Sequence, residues 1–157
     1  LKLEVKARDI KISNGVAFSP DRQWMYHTDT PNAVLYRYPL DAQGEPGERE
    51  VFRRFDASGG LPDGAAVDSE GFYWSALFDG GRVVRIHPQR GEIVDEIRLP
   101  VKWPTMVAFG GSELKTLYIT SSRENLSKED RERYPESGDI FAVELDVAGM
   151  AEPLFRG

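Results

Sequence analysis

The chain has no cysteine among its 157 residues. Disulfides, a thiol nucleophile and zinc–thiolate sites are therefore excluded. The sequence also has no apolar run near the roughly 20 residues that a membrane helix needs. It shows no charged-then-apolar stretch of the kind that marks a secretory signal. These features predict a protein of the cytoplasm that does not associate with membranes.

Basic residues are fewer than acidic ones. The chain has 20 Lys and Arg against 26 Asp and Glu, which gives a formal net charge of −6. No basic run or patch stands out, so nucleic acid is not expected as a partner. No Gly-x-Ser-x-Gly turn and no phosphate-binding loop occur in the sequence, so these two common catalytic designs are not expected either.

The sequence does contain short apolar strands, and they repeat. Three segments, 14–19, 63–68 and 105–110, are similar apolar strands that end in turns, offset by 49 and then 42 residues. A second strand with an aromatic residue follows each of them, and then a third and a fourth. The second strands are expected at 25–28, 73–76 and 117–120, the third at 34–38, 83–86 and 140–145, and the fourth at 50–55, 93–99 and 153–155.

A period in the forties with four strands per unit is typical of β-propeller blades. A β-sandwich also has many short strands, but it does not place similar turn chemistry at the same point of each unit. We therefore predict an all-β protein of about three four-stranded blades, at 14–55, 63–99 and 105–157. Residues 1–10 are expected to hold an outer strand of a preceding blade, at 3–10. The long connection 121–138 is expected to contain a short helix at 127–133 and to form one wall of a binding site.

Two polar residues occupy equivalent positions on adjacent innermost strands. Asn14 and Asp63 both stand where the strand begins, so their side chains should converge at the mouth of the channel. An amide oxygen and a carboxylate together suit Ca²⁺, Mg²⁺ or Mn²⁺. The alternative is that both are turn residues, because Asn-Gly and Asp-Gly pairs are common in turns.

Strand direction places further residues on the same face. Thr105 begins the third innermost strand, and Asp29 and Arg123 lie in connections between second and third strands. We consider all three as substrate-side residues. Arg123 could meet an anionic substrate or could simply be a solvated loop residue. His27, in the middle of a strand, is expected to be packed or solvent-facing rather than a catalytic base, and Asp68 is expected to shape a turn.

The same segments resemble a known family. Segments 13–21 (SNGVAFSPD), 61–71 (LPDGAAVDSEG) and 104–111 (PTMVAFGG), the last followed by LYITS at 117–121, are similar to successive signatures of the senescence-marker-protein/gluconolactonase family. The resemblance implies a six-bladed propeller and a metal-dependent hydrolase of lactones or related esters. It implies Asn14 and Asp63 as ligands of one divalent cation, Ca²⁺ first, with Zn²⁺, Mn²⁺ or Mg²⁺ as alternatives.

Part of the family pattern has no counterpart here. The family's acidic ligand near its N-terminus and a further Asn ligand are not matched, so the chain resembles the C-terminal half. Either a missing N-terminal half or a second copy of the chain is then expected to complete the ring. The resemblance also implies that Asp63 is catalytic, as a metal ligand and as a candidate general base, although metal-bound hydroxide could serve instead.

Two other functions stay open. A propeller can be a non-catalytic scaffold that binds partners through its face, since fold alone does not determine function. A metal-free enzyme of the strictosidine-synthase-like kind is the second alternative. The Asn14 and Asp63 pair favours the metal-dependent hydrolase over both.

Overall fold

A computed structural model describes residues 2–151 of the chain. It contains three antiparallel sheets, each formed by consecutive strands. The first sheet contains β1 (Ser13–Phe18), β2 (Trp24–Asp29), β3 (Val34–Pro39) and β4 (Glu50–Arg54). The second contains β5 (Leu61–Val67), β6 (Tyr73–Phe78), β7 (Arg82–Ile86) and β8 (Ile93–Arg98). The third contains β9 (Pro104–Gly110), β10 (Thr116–Ser121) and β11 (Ile140–Glu144).

The order of strands within each sheet follows the chain, with β1, β5 and β9 as the first strand of their sheets. These three strands pack side by side, β1 against β5 and β5 against β9. This is the arrangement of propeller blades around a channel, so the predicted fold class is confirmed. Between residues 2 and 151, no helix is long and apolar enough to cross a membrane.

The predicted helix is confirmed. Helix α1 (Lys128–Arg133) lies in the long connection between β10 and β11, and the Ser127 hydroxyl caps it by accepting a hydrogen bond from the Asp130 amide. Acidic residues in its first turn and arginines in its last turn complement the helix dipole. The helix buries no residue of its own, which agrees with the charged pattern of this segment.

The strand expected at 3–10 is not formed in this structure, and its place in a preceding blade stays a prediction. Residues 2–10 contain no strand, and Leu3 and Val5 are 99% and 64% exposed. A strand exists only where its backbone groups pair with a neighbour, and no strand between residues 2 and 151 lies beside this segment. The expected strand at 153–155 falls outside the described residues.

Apolar side chains fill the spaces between neighbouring sheets. The first and second sheets share a buried cluster in which the Tyr26 and Tyr73 ring centroids lie 5.3 Å apart. The second and third sheets share another, in which Trp74 meets Phe109 edge to face at 6.3 Å. Each sheet therefore depends on its neighbour to bury its apolar face, as expected for stacked repeats.

The innermost strands approach each other closely at Gly15. This residue has φ +54°, a conformation that disfavours side chains, and a Cβ added to it would overlap the Tyr73 hydroxyl and lie 2.9 Å from the Asp63 carbonyl oxygen. The Tyr73 hydroxyl uses this space to donate a 2.6 Å hydrogen bond to the Gly15 carbonyl oxygen. Glycine at this position therefore permits the contact between the first two sheets.

Gly15→Ala tests this contact. Its added methyl group meets both the Tyr73 oxygen and an unfavourable φ, so we expect the free energy of unfolding to fall by about 2 kcal/mol or more. Gly44→Ala is the matched control, because Gly44 has φ +82° and a Cβ added there would have no atom within 4 Å. It should cost only the backbone strain, about 1 kcal/mol. Equal losses in denaturant unfolding would show that packing at Gly15 is unimportant.

Candidate active site

The candidate site lies where β1, β5 and β9 begin. Each strand has a register irregularity at this end against its partner: between Asn14 and Ala17, between Pro62 and Ala65, and opposite the Thr120–Ser121 step. Such bulges re-aim side chains and occur often beside functional sites. The backbone where β1, β5 and β9 begin therefore differs from that of regularly paired strands.

Asn14 and Asp63 are in direct contact across the two sheets. The Asn14 side-chain amide donates to the Asp63 carboxylate Oδ1, and both residues are half-buried. The predicted convergence of these two side chains is therefore present in the structure. Metal binding by the pair is a separate question, and it stays a prediction.

Burial raises the pKa of the Asp63 carboxyl, and the hydrogen bonds from the Asn14 side chain and the Gly64 amide oppose that rise. The neighbour in contact with the carboxylate is a neutral amide, so no salt bridge to Lys or Arg balances its charge among residues 2–151. A half-buried carboxylate of this kind favours a proton or a cation as its partner.

Two more hydrogen bonds between the first and second sheets hold the backbone beside the candidate ligands. The Tyr73 hydroxyl holds the Gly15 carbonyl oxygen, and the Thr30 hydroxyl donates a 2.8 Å hydrogen bond to the Pro62 carbonyl oxygen. Gly15 follows Asn14 in the chain, and Pro62 precedes Asp63. Both candidate ligands therefore sit next to a backbone group that the neighbouring sheet fixes.

The three substrate-side candidates are placed differently. Thr105 is half-buried, and its hydroxyl lies 2.8 Å from the Thr120 hydroxyl on β10. Arg123 is exposed in the long connection, where Gly138 lies close to its Cβ. Neither placement tests a role in substrate binding.

Asp29 is fully buried. Its carboxylate accepts hydrogen bonds from the backbone amides of Lys11 and Ile12 at 3.2 and 3.3 Å, and from the Asn32 side chain at 2.7 Å. These bonds join the segment before β1 to the turn after β2. These bonds give Asp29 a structural role that sequence position alone could not reveal, and its substrate-side role stays a prediction.

His27 is packed, one of the two placements expected for it. It is 3% exposed, its Nε2 lies 2.7 Å from the Ser13 hydroxyl, and its Nδ1 lies 3.3 Å from the Tyr38 hydroxyl. Burial lowers the pKa of this imidazole, which favours the neutral ring in a hydrogen-bonded strand position.

Sequence reasoning missed an aromatic pair on this face. Phe78, at the end of β6, stacks on Trp103, just before β9, with ring centroids 5.0 Å apart and planes 15° from parallel. The Trp103 indole also donates a 3.1 Å hydrogen bond to Asp79. The sequence did carry a signal for this pair, since both aromatics border strand ends on the face that holds Asn14 and Asp63.

Asn14 and Asp63 offer the oxygen ligands that a hard cation prefers, but two side chains are too few to coordinate it. Ca²⁺ takes about 6–8 oxygen ligands, whereas Asn14 and Asp63 supply two side chains. Within residues 2–151, no group of three or more His, Cys, Asp or Glu residues is placed to hold a metal ion. Oxygen atoms from elsewhere, including water and substrate, would have to complete the coordination.

Comparison with known proteins identifies the class. The model of the family described as SMP-30/Gluconolactonase/LRE-like region matches residues 1–123. The chain is a β-propeller protein with three blade-like sheets. It belongs to the SMP-30/gluconolactonase family, and the predicted family is confirmed.

Individual relatives agree with this. The chain is 62% identical to a 6-deoxy-6-sulfogluconolactonase of Pseudomonas putida, over 99% of its own length and 54% of the relative's. It is 41% identical to a putative sugar lactone lactonase of Bacillus subtilis, over 98% and 53% of the two lengths. The crystal structure of a calcium-binding protein, regucalcin, from Agrobacterium tumefaciens superimposes with a TM-score of 0.88 at 37% identity, over 94% and 50% of the chains. The chain spans about half the length of the relatives it matches.

The raised pKa of Asp63 predicts a pH effect on stability. A carboxyl whose pKa is higher in the folded state costs stability where it is ionised, above that pKa, and the cost disappears as the pH falls below the unfolded value. Asp63→Asn should therefore raise the free energy of unfolding at neutral pH, measured without added metal, and should make little difference in acid. Asp21→Asn is the control with the opposite sign, because hydrogen bonds from Ser19 and the Gln23 amide lower the pKa of Asp21. A loss of stability at neutral pH in Asp63→Asn would contradict the expectation.

Proposed function

We propose that this chain carries part of the active site of a metal-dependent lactonase that hydrolyses sugar lactones. The observation that carries the proposal is the contact between Asn14 and Asp63, hard-oxygen side chains brought together from adjacent sheets. Family membership and the sugar lactone lactonases among its relatives support it. A small-molecule lactone, rather than a macromolecule, is the substrate this proposal requires.

We further propose one divalent cation at this pair, with Ca²⁺ first because the related regucalcin is named a calcium-binding protein. The Asn14 amide oxygen and the Asp63 carboxylate would hold it. A bound cation would polarise the lactone carbonyl and stabilise the negative charge that develops on its oxygen. This agrees with the half-buried, unbalanced charge of Asp63.

Asp63 is also our candidate for the general base. One carboxylate oxygen would take a proton from the water that attacks the carbonyl carbon, and would return it to the ring oxygen as the ester bond breaks. The new carboxyl group keeps the second proton of the water and loses it to solvent, so the product leaves as a hydroxy acid anion. Thr105 and Arg123 would contact the substrate, and the stacked Phe78 and Trp103 could pack against its carbon skeleton.

A non-catalytic binding propeller is the second candidate. The observation that favours it is the small number of ligands, since residues 2–151 supply two side chains where a cation needs more. A divalent-metal titration followed by a lactone hydrolysis screen separates the candidates. Metal binding and turnover support the lactonase, and neither would be seen with a scaffold. A metal-free enzyme would show turnover that a chelator does not affect.

The channel side of the sheets suggests what completes the site. Inner-strand residues line a largely apolar groove of about 1190 Å³, and Val16, Phe18 and Met106 are 54%, 50% and 44% exposed on it. We propose that further blades cover this groove, from the remainder of a longer protein or from a second copy of this chain. Either source would also add ligands to the Asn14 and Asp63 pair. A cytoplasmic location stays part of the proposal.

Asp63→Asn should abolish lactone hydrolysis, with a loss of at least about a hundredfold in kcat/KM, because the change removes a ligand charge and the base. It should also weaken Ca²⁺ binding, measured by calorimetry independently of turnover. His27→Gln is the control and should leave both properties nearly unchanged, since His27 is buried in strand contacts. Activity that survives Asp63→Asn but not His27→Gln would place the site elsewhere.

Light scattering on the purified 157-residue chain tests the assembly proposal. Exposed apolar inner strands should make an isolated copy marginal, so we expect a dimer at micromolar concentration. Val16→Glu, at the exposed inner edge, should shift the mass toward the monomer because it places a charge in the interface. Val51→Glu, at an exposed position on the outer strand β4, should not. A stable, cooperatively unfolding monomer would rule out the second copy.

A further inference from the structure

The second sheet contains a buried ion pair at the end opposite the candidate active site. Asp68 is fully buried, and its Oδ2 accepts hydrogen bonds from Arg85 at 2.7 and 2.9 Å and from the Trp74 indole at 2.9 Å. The Arg85 guanidinium lies 3.9 Å from the centre of the Phe72 ring. We call these four residues the Asp68 cluster. Its aromatic wall, its guanidinium and its indole donor all surround one carboxylate.

The first sheet repeats the arrangement of this cluster without its carboxylate. Backbone pairing identifies the counterparts, because the first-to-second-strand turn closes at corresponding residues and the second and third strands pair in the same register. The counterparts are Ser19 for Asp68, Trp24 for Phe72, Tyr26 for Trp74 and Arg37 for Arg85.

Three of the four groups keep their roles. The Arg37 guanidinium lies 4.3 Å from the centre of the Trp24 ring, as Arg85 lies over Phe72. Tyr26 replaces the indole as the potential donor, and its buried hydroxyl has no hydrogen-bond partner among residues 2–151. Ser19 replaces the carboxylate with a hydroxyl, which donates to the exposed Asp21 instead. The donors of the cluster are thus present without its acceptor.

A cavity of about 380 Å³ lies at this place, between the first two sheets. Ser19, Trp24, Tyr26 and Arg37 all line it. Its volume falls within the roughly 300–1,000 Å³ of small-molecule sites. An unpartnered buried donor is destabilising, so the Tyr26 hydroxyl favours an occupant that supplies an acceptor.

The charged residues around the cavity indicate which functional groups the occupant should carry. Arg37 pairs through Nε with Glu50, so its charge is partly balanced. Asp21 and Glu70 also line the cavity, and Glu70 pairs with Arg85. These carboxylates would repel a ligand that carries only negative groups, whereas ligand hydroxyls could donate hydrogen bonds to them. The best match is a molecule with one carboxylate and several hydroxyls.

We propose that this cavity, the Ser19 cavity, binds a small hydroxy acid. The ligand carboxylate takes the position that Asp68 holds in the second sheet, between the Arg37 guanidinium and the Tyr26 hydroxyl. The ligand hydroxyls donate to Asp21 and contact the Gln89 side chain. The site lies at the opposite end of the sheets from Asn14 and Asp63, and it requires no lactonase activity.

Sodium gluconate is a suitable probe because it has one carboxylate and several hydroxyls. Glucose, which has only the hydroxyls, and sodium acetate, which has only the carboxylate, are the comparison ligands. In NMR titrations of the purified protein, gluconate should shift the Trp24 indole resonance, and glucose and acetate should bind at least about tenfold more weakly. Asp63→Asn should not change this binding, which separates it from any binding at the candidate active site. Glucose that binds as well as gluconate would overturn the carboxylate assignment.

Two variants test the position of the ligand. Tyr26→Phe removes a hydroxyl that bonds no residue between 2 and 151, so the fold should persist while gluconate affinity falls about tenfold. Ser19→Asp should build the missing carboxylate into the protein, abolish gluconate binding and raise the melting temperature. If Ser19→Asp fails to fold, Tyr26→Phe decides alone. Gluconate binding that is absent in the unaltered protein, or unchanged in Tyr26→Phe, would refute the site.

Discussion

The contact of β1 with β5 at Gly15 determines the geometry of the candidate active site. The Tyr73 hydroxyl reaches the Gly15 carbonyl oxygen at 2.6 Å only because Gly15 has no side chain. Burial raises the pKa of Tyr73, so the phenol stays a neutral donor at any ordinary pH. Asn14 precedes this fixed point in the chain, and its side chain therefore meets Asp63 in a position that the two sheets define together.

The three sheets share one backbone arrangement, but the polar residues at their equivalent positions differ. At the beginnings of the innermost strands the equivalent residues are Asn14, Asp63 and Thr105, an amide, a carboxylate and a hydroxyl. At the opposite end, Asp68 in one sheet corresponds to Ser19 in another. Each difference changes hydrogen-bonding capacity while the strands around it keep their register. Both candidate sites therefore lie where the repeats differ.

Strand positions were predictable because apolar alternation, turn residues and the repeat period all agree over 14–99. The convergence of Asn14 and Asp63 followed from the same repeat. The sequence was less informative where a residue's environment depends on contacts distant in sequence. Residues 3–10 have strand-like composition but no strand beside them, and the fully buried Asp29 bonds backbone amides some 17 residues away. Periodicity carries no information about such partners.

The environment of Asp63 shows why an amide is a suitable neighbour there. An arginine in the place of Asn14 would neutralise the carboxylate, as Arg85 balances the charge of Asp68 through two hydrogen bonds. The neutral amide instead leaves the charge of Asp63 available, and burial raises the pKa of that carboxyl. A carboxylate in that condition retains its affinity for a proton or a cation. Thus the same fold balances the charge of the buried Asp68 with an arginine and places a neutral amide beside the half-buried Asp63.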